Sequence, residues 1–224
     1  MNAQAAPAPW LASRSPTESE ALSREIGRRP SDPGLDALRR LPWIPQVDLA
    51  HSVQVTWLAL TLFDALAEPL ALSPSGRDIL AASAFWHDCG QAIGEQGHHK
   101  HSYALIMALE LPQWELDVQR RVACIARYHR KRPPRPGDRG YECLDHARQR
   151  QVRQLSALLR IADGLDYSHR GLAHSLGACV TDRQLRLEVG APMQADTELR
   201  RAQEKADLFQ TEFGCGLALY REEG

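Results

Sequence analysis

ILAASAFWHDCGQAIGEQGHHKHS, residues Ile79–Ser102, is the stretch that decides how this chain is read. Its first eight residues are apolar or small, and Ser75 can cap the helix they form. That helix runs into the pair His87-Asp88. Gly90, Gly94 and Gly97 then mark a loop that closes on His98-His99-Lys100-His101-Ser102, where a third helix begins and runs to about Leu111. Imidazole nitrogens and carboxylate oxygens therefore stand at both ends of one glycine-rich loop. They are the ligand types of Zn, Mn, Fe, Co and Ni and, with more oxygen, of Mg.

Outward from this stretch the same residue types recur at helix ends. Asp48 can cap a helix that carries His51 in its first turn, followed by Val53, Val55, Leu58, Leu60, Leu62, Phe63 and Leu66. A fourth helix is expected from about Trp114 to Arg130. It ends in Arg127-Tyr128-His129-Arg130-Lys131-Arg132, where Pro133-Pro134 forbid continuation. A fifth, from about Asp145 to Leu165, carries Asp163 just before Gly164. A single buried histidine is ordinarily a core histidine. The ordered series His51, His87-Asp88, His101, His129, Asp163 on an all-helical chain reads instead as one metal site.

After residue 175 the period changes. Ala178–Thr181 and Gln184–Val189 flank Asp182-Arg183 as a β-hairpin, residues 195–213 read as one polar-rich helix, and Leu217–Tyr220 as a last strand. The expected fold is mainly α, a helical bundle over 34–175 with a small C-terminal α+β appendage over 176–224. Residues 1–33 are rich in Ala, Pro and Ser and read as a disordered leader, with a short helix around Glu18–Arg28.

Composition bounds the function. The 224 residues are 43% hydrophobic and 25% charged with a net charge of −1, enough for one core and no bulk attraction to polyanions. Aromatics are 6%, too few to favour a stacking nucleic-acid surface. Five scattered cysteines without a CxxC argue against a disulfide framework and suit a reducing cytoplasm. No apolar run reaches the roughly 20 residues of a bilayer span, and no signal peptide is visible.

An aspartate can give each carboxylate oxygen to a different ion, so Asp88 can serve one metal or bridge two about 3.5–4 Å apart. In the two-metal reading His51, His87, Asp88 and Asp163 hold one ion, and His101 and His129 complete the second. In the one-metal reading His101 or His129 acts on phosphate directly. His98 and His99 are near enough to replace His101, which is preferred because Ser102 follows at a helix start, where amides and dipole favour anions. Charge supports an anionic substrate: Arg130, Lys131 and Arg132 adjoin His129, with Lys100 and Arg160 as secondary candidates. Asp88, His101, His129, Lys100, Arg130 and Lys131 are the expected catalytic set.

These residues resemble the HD superfamily of metal-dependent phosphohydrolases. Within it they resemble the C-terminal HD-like domain of the Ppx/GppA exopolyphosphatase and guanosine pentaphosphate phosphatase family. The resemblance is carried by His51-Ser52, His87-Asp88-Cys89-Gly90, His98-His99-Lys100-His101-Ser102, Ile125–Lys131, Leu158–Asp166 and Lys205–Phe209, and covers about residues 36–220. Trp86 and Cys89 stand where aliphatic residues are more usual. The family's polyphosphate hydrolysis belongs to N-terminal actin-like domains, so the resemblance implies a stand-alone HD-domain helical bundle with its own metal chemistry. The expected function is hydrolysis of a nucleotide or other small phosphate ester or anhydride with one or two divalent ions. The rival is a regulatory module that binds nucleotide or polyphosphate or partners a separate Ppx/GppA-type catalytic chain. The C-terminal elements suit either a cover on the bundle or a homodimer contact.

Overall fold

The computed structural model describes residues 14–222 except Asp182. The short helix expected around Glu18–Arg28 is present, while the disorder expected around it is corrected for residues 14–33, which pack on the core. Ser15 and Glu18 form a reciprocal capping box around α1 (Pro16–Gly27), whose Leu22 and Ile26 are buried in the core. Pro16 sits at the first helical position, where its missing N–H costs nothing, so it starts the helix. The disorder expected for residues 1–13 lies outside the described residues. A short α2 (Pro33–Ala37) follows, capped by Asp32.

The core helix is α3 (Leu49–Leu66). Asp48 caps it by accepting from the His51 amide at 2.9 Å, and from His51 to Leu60 every residue is buried. Among the described helices α3 alone is long and apolar enough to cross a membrane. Most of it is enclosed by the protein, as in the core helix of a soluble domain. It packs on α1, α4 (Gly76–Trp86) and α7 (His146–Gly164). Ser75 stands before α4 but makes no capping bond; its hydroxyl pairs with Ser73 at 3.0 Å.

α5 begins at His98 and ends at Met107, one turn earlier than the sequence suggested. Ser102 caps nothing. Its hydroxyl donates to the His87 carbonyl at 2.7 Å and accepts from the Gly90 amide at 2.9 Å, tying α5 to the His-Asp turn. A Cβ at Gly90 would collide with the His98 carbonyl and the Ser102 amide, so only glycine permits this approach. α6 (Leu116–Arg127) ends where Tyr128 N–H caps the Cys124 and Ile125 carbonyls, leaving His129 just beyond the helix.

The C-terminal part forms a three-stranded sheet in the order β1-β2-β3. β1 (Ser175–Thr181) pairs antiparallel with β2 (Gln184–Gly190), from Ser175 opposite Gly190 to Thr181 opposite Gln184. The Asp182 half of the expected turn lies outside the described residues. β3 (Gly216–Arg221) is parallel to β2, and the helical segment between them supplies the crossover that parallel pairing requires. Leu185, Leu187 and Val189 alternate inward. The single helix expected over 195–213 is two, α8 (Asp196–Glu204) and α9 (Asp207–Phe213). At the break the Lys205 carbonyl accepts from Arg160 Nε at 3.3 Å. Both helices pack on α7, and Gly164 lets α8 come so close that an added Cβ would stand 2.6 Å from Ala202 Cα.

Candidate metal centre

Five of the six expected ligands converge, and one does not. His51 Nε2 lies 3.6 Å from Asp163 Oδ1, and His87 Nε2 lies 3.9 Å from the same oxygen and 3.7 Å from Asp88 Oδ2. His129 Nε2 is 3.4 Å from Asp88 Oδ1. The imidazole beside it is His98, not His101: His98 Nε2 is 3.0 Å from Asp88 Oδ1 and 3.4 Å from His129 Nε2. His101 lies one turn further along α5, against the Gly90–Gly94 turn. The reason for the correction is the earlier start of α5, which puts His98 inside the first turn beside the His-Asp pair.

Every imidazole in the cluster is held by its other nitrogen. Nδ1 of His87 lies 2.7 Å from the Ala84 carbonyl, Nδ1 of His129 2.7 Å from that of Ala126, and Nδ1 of His98 3.0 Å from that of Glu95. Nδ1 of His51 is 2.8 Å from Asp166 Oδ2. With carbonyls as partners, Nδ1 must carry the hydrogen and Nε2 is left with its lone pair facing inward. Such bonds fix the tautomer and orientation of metal-binding histidines. Three of the remaining walls are helix ends: α4 delivers His87-Asp88, α6 His129 and α7 Asp163.

Three of the inward atoms lack partners within the protein, whereas His98 Nε2 faces Arg130 Nη1 at 3.2 Å and His129 Nε2 at 3.4 Å. His51 Nε2, His87 Nε2 and Asp88 Oδ1 are buried without a hydrogen bond. An unsatisfied buried polar atom costs about 1–3 kcal/mol, so three in one pocket form an arrangement that a cation would relieve. Contacts of 3.0–3.9 Å are also the spacing of atoms that each stand about 2.1 Å from a shared ion. His51, His87 and Asp163 form one triad of mutually close donors and Asp88, His98 and His129 another. The residues therefore fit a divalent ion in one or two positions.

The electrostatics agree. Burial opposes charge on His51, but Asp163 and Asp166 outweigh it and push its pKa up to about 10, so in the absence of a cation its Nε2 is protonated and an ion binding there must displace that proton. Burial lowers His87 and drives His129 down to about 3, so both are neutral imidazoles able to coordinate. For Asp88 burial would raise the pKa, but His87 and the His98 ring against its carboxylate hold it well below the usual carboxylate range. Asp163 likewise overcomes its burial through Lys205, whose ammonium meets Oδ2, and through His51. Gln91 donates to Asp88 Oδ2 and so orients it. Burial raises Cys89 to about 12, which makes it a packed neutral thiol next to the ligands.

A cavity of ≈ 600 Å³ opens over the cluster, reached by Asp88, His98, His129 and Asp163. Arg130 and Lys131 line it. Lys100 does not; it faces a separate cavity. Arg160 touches the first cavity, but its donors are committed to protein. It binds the Lys131 carbonyl at 3.0 Å, the Lys205 carbonyl at 3.3 Å and Asp207 Oδ1 at 2.6 Å. It is a clamp between two loops, not a phosphate ligand.

Sequence reasoning missed Asp166, Lys205, Tyr167 and His169. His169 stacks on His51 with ring centroids 3.7 Å apart, and its Nδ1 pairs with Asp48 Oδ2 at 3.0 Å. Asp166 lies three residues after Asp163, on the same side of the α7 end, and that spacing was the available signal. Nothing local in the sequence points Lys205 at a residue 42 positions earlier.

Fold and site together define a mainly α domain with a buried His/Asp constellation of the metal-ligand type. The family model of the Ppx/GppA phosphatase, domain III, matches residues 38–207, and the chain belongs to that family. No curated protein matches the chain.

Proposed function

We propose that this chain is a metal-dependent phosphohydrolase of the HD type, acting on the phosphoester or anhydride of a nucleotide or similar small anion. The observation that carries the reading is that the inward His51 Nε2, His87 Nε2 and Asp88 Oδ1 are buried without partners while the Nδ1 of each ring in the cluster is anchored. His51, His87, Asp88, His98, His129 and Asp163 would hold one or two divalent ions from the set Mn, Mg, Fe, Co, Ni and Zn. When bound, such an ion supplies positive charge to a phosphoryl oxygen and acidifies water.

The chain's own groups account for the rest. Arg130 and Lys131, on the cavity wall, bind phosphoryl oxygens and stabilise charge that builds on them. Lys205 keeps Asp163 ionised with Oδ1 turned to His51 and His87. The cavity volume falls in the range of about 300–1,000 Å³ usual for small-molecule sites. Free cysteines throughout suit the reducing cytoplasm.

The test is elemental analysis of the purified protein together with a phosphatase screen over nucleotides and condensed phosphates. Bound divalent metal and metal-stimulated turnover, both lost in Asp88→Ala, are expected. Metal-free protein with no turnover on any substrate after divalent ions are added back would end the reading. The match to domain III alone favours a second reading, a non-catalytic module that binds nucleotide or polyphosphate or partners a separate catalytic chain. That reading predicts tight binding without turnover, indifferent to Asp88→Ala.

A further inference from the structure

The C-terminal sheet has one edge that no strand pairs with among the described residues. β1 bonds to β2 on one side and ends the sheet on the other. Which main-chain groups face that edge follows from the far side of the sheet. Arg183, just before β2, and Val189 turn their carbonyls to β3, accepting from the Gly216 and Glu222 amides at 2.9 Å. Main-chain groups alternate in direction along a strand, so the even-numbered residues of β2 face β1. Their partners there are Ser175, Gly177, Cys179 and Thr181. The N–H and C=O groups of Leu176, Ala178 and Val180 therefore point out of the sheet.

Proteins usually blunt such an edge with proline, with charge or with a covering element. β1 reads Ser-Leu-Gly-Ala-Cys-Val-Thr and has neither a proline nor a charged residue. The opposite edge is protected: Arg221 of β3 pairs with Asp196, and α8 packs beside that strand. On the inner face of β1, Leu176, Ala178 and Val180 touch the core yet stay half-buried, and on the outer face Gly177, Cys179 and Thr181 are exposed. A strand that completes this edge must turn an amide and a carbonyl to it at every second residue. It must carry apolar side chains on the inner face, small ones on the outer face, and no charge. β1 itself, run in the opposite direction, meets each requirement.

We propose that two copies of this chain associate through β1, antiparallel about a two-fold axis at Ala178, joining their three-stranded sheets into one. In that register Ala178 exchanges both main-chain bonds with Ala178 of the second copy, and Leu176 does the same with Val180. Leu176 then packs beside Val180 on the inner face, and Cys179 stands opposite Gly177 on the outer face. An edge of 7 residues buries less than the roughly 1,200 Å² of a stable interface, so the dimer is a weak one that forms at micromolar concentrations. The pairing does not depend on the metal-centre reading.

The experiment is sedimentation velocity on the full chain, under reducing conditions and over a wide range of concentration. A monomer–dimer equilibrium is expected, with the dimer fraction rising with concentration. Ala178→Pro removes the outward amide at the axis from both copies and spares the β1–β2 ladder, to which that amide does not belong. It should weaken association by at least about tenfold. Cys179→Lys, at an exposed residue, serves if the proline variant does not fold. It sets two like charges roughly 7–8 Å apart across the axis and should weaken association severalfold, less so at high salt. With Cys143, also exposed, changed to serine, a short bismaleimide should link Cys179 of the two copies, and the link should vanish in Ala178→Pro. A chain that stays monomeric at every concentration overturns the proposal. So does a dimer that both variants leave unchanged or that Cys179 does not link, since it would use another surface.

Discussion

Asp88 Oδ1 stands 3.0 Å from His98 Nε2, across the glycine-rich loop that separates the two residues in sequence. This contact closes the second half of the cluster, and it exists because α5 starts at His98 and is drawn onto the His87 turn by Ser102.

His98 and His101 should therefore behave differently. His98→Ala removes a donor from the Asp88, His98, His129 triad and should lower metal affinity by at least about tenfold, read by competition with a chelating dye. His101→Ala should leave metal content within error. Equal losses from the two substitutions would mean that His98 is not a ligand.

Asp166 acts through His51. Its Oδ2 holds the Nδ1 of that ring while Oδ1 accepts from the Gly171 amide at 2.7 Å. Asp166→Asn should keep the loop and weaken metal binding by about 10–100-fold. If affinity is unchanged and only thermal stability falls, the contact serves packing alone.

Gly90→Ala should be destabilising out of proportion to its one added methyl. The new Cβ would meet backbone, the His98 carbonyl and Ser102 amide, which cannot rotate away. A loss of about 3 kcal/mol in urea unfolding is expected. A loss below about 1 kcal/mol would show that α5 moves freely relative to the His-Asp turn.

Asp138 gives a pH dependence away from the metal centre. It accepts from the Arg132 guanidinium, the Arg135 amide and the Tyr128 hydroxyl. The Arg132 guanidinium outweighs the opposing desolvation and holds the carboxyl well below its ordinary value. A folded-state pKa below the unfolded one gives stability that is present above the unfolded value of about 3.9 and is lost as pH falls through the folded one. Asp138→Asn should thus cost about 1–2 kcal/mol at pH 7, and the difference from wild type should shrink below about pH 4. A difference that stays constant between pH 7 and pH 3 would refute the ion-pair account.

Helix identities, the inward stripe of α3 and the alternation of β2 were legible because a 3.6 or 2 residue period is a local property of the chain. His51, His87, Asp88, His129 and Asp163 were legible because metal-type side chains at successive helix ends are rare by chance. The short helix expected around Glu18–Arg28 is present, but its packing into the core was not legible, and its start at Pro16 follows from the Ser15 cap just before it.

The sequence by itself determined the mainly helical class, the residue types of the site and the basic run around His129. Only the tertiary structure chose His98 over His101, turned Lys100 into a separate cavity, spent Arg160 on backbone carbonyls and brought Lys205 to Asp163. Each of those outcomes depends on where one helix begins or breaks relative to another. That is fixed by packing between distant segments, as at Gly90 and Gly164, and periodicity carries no record of it.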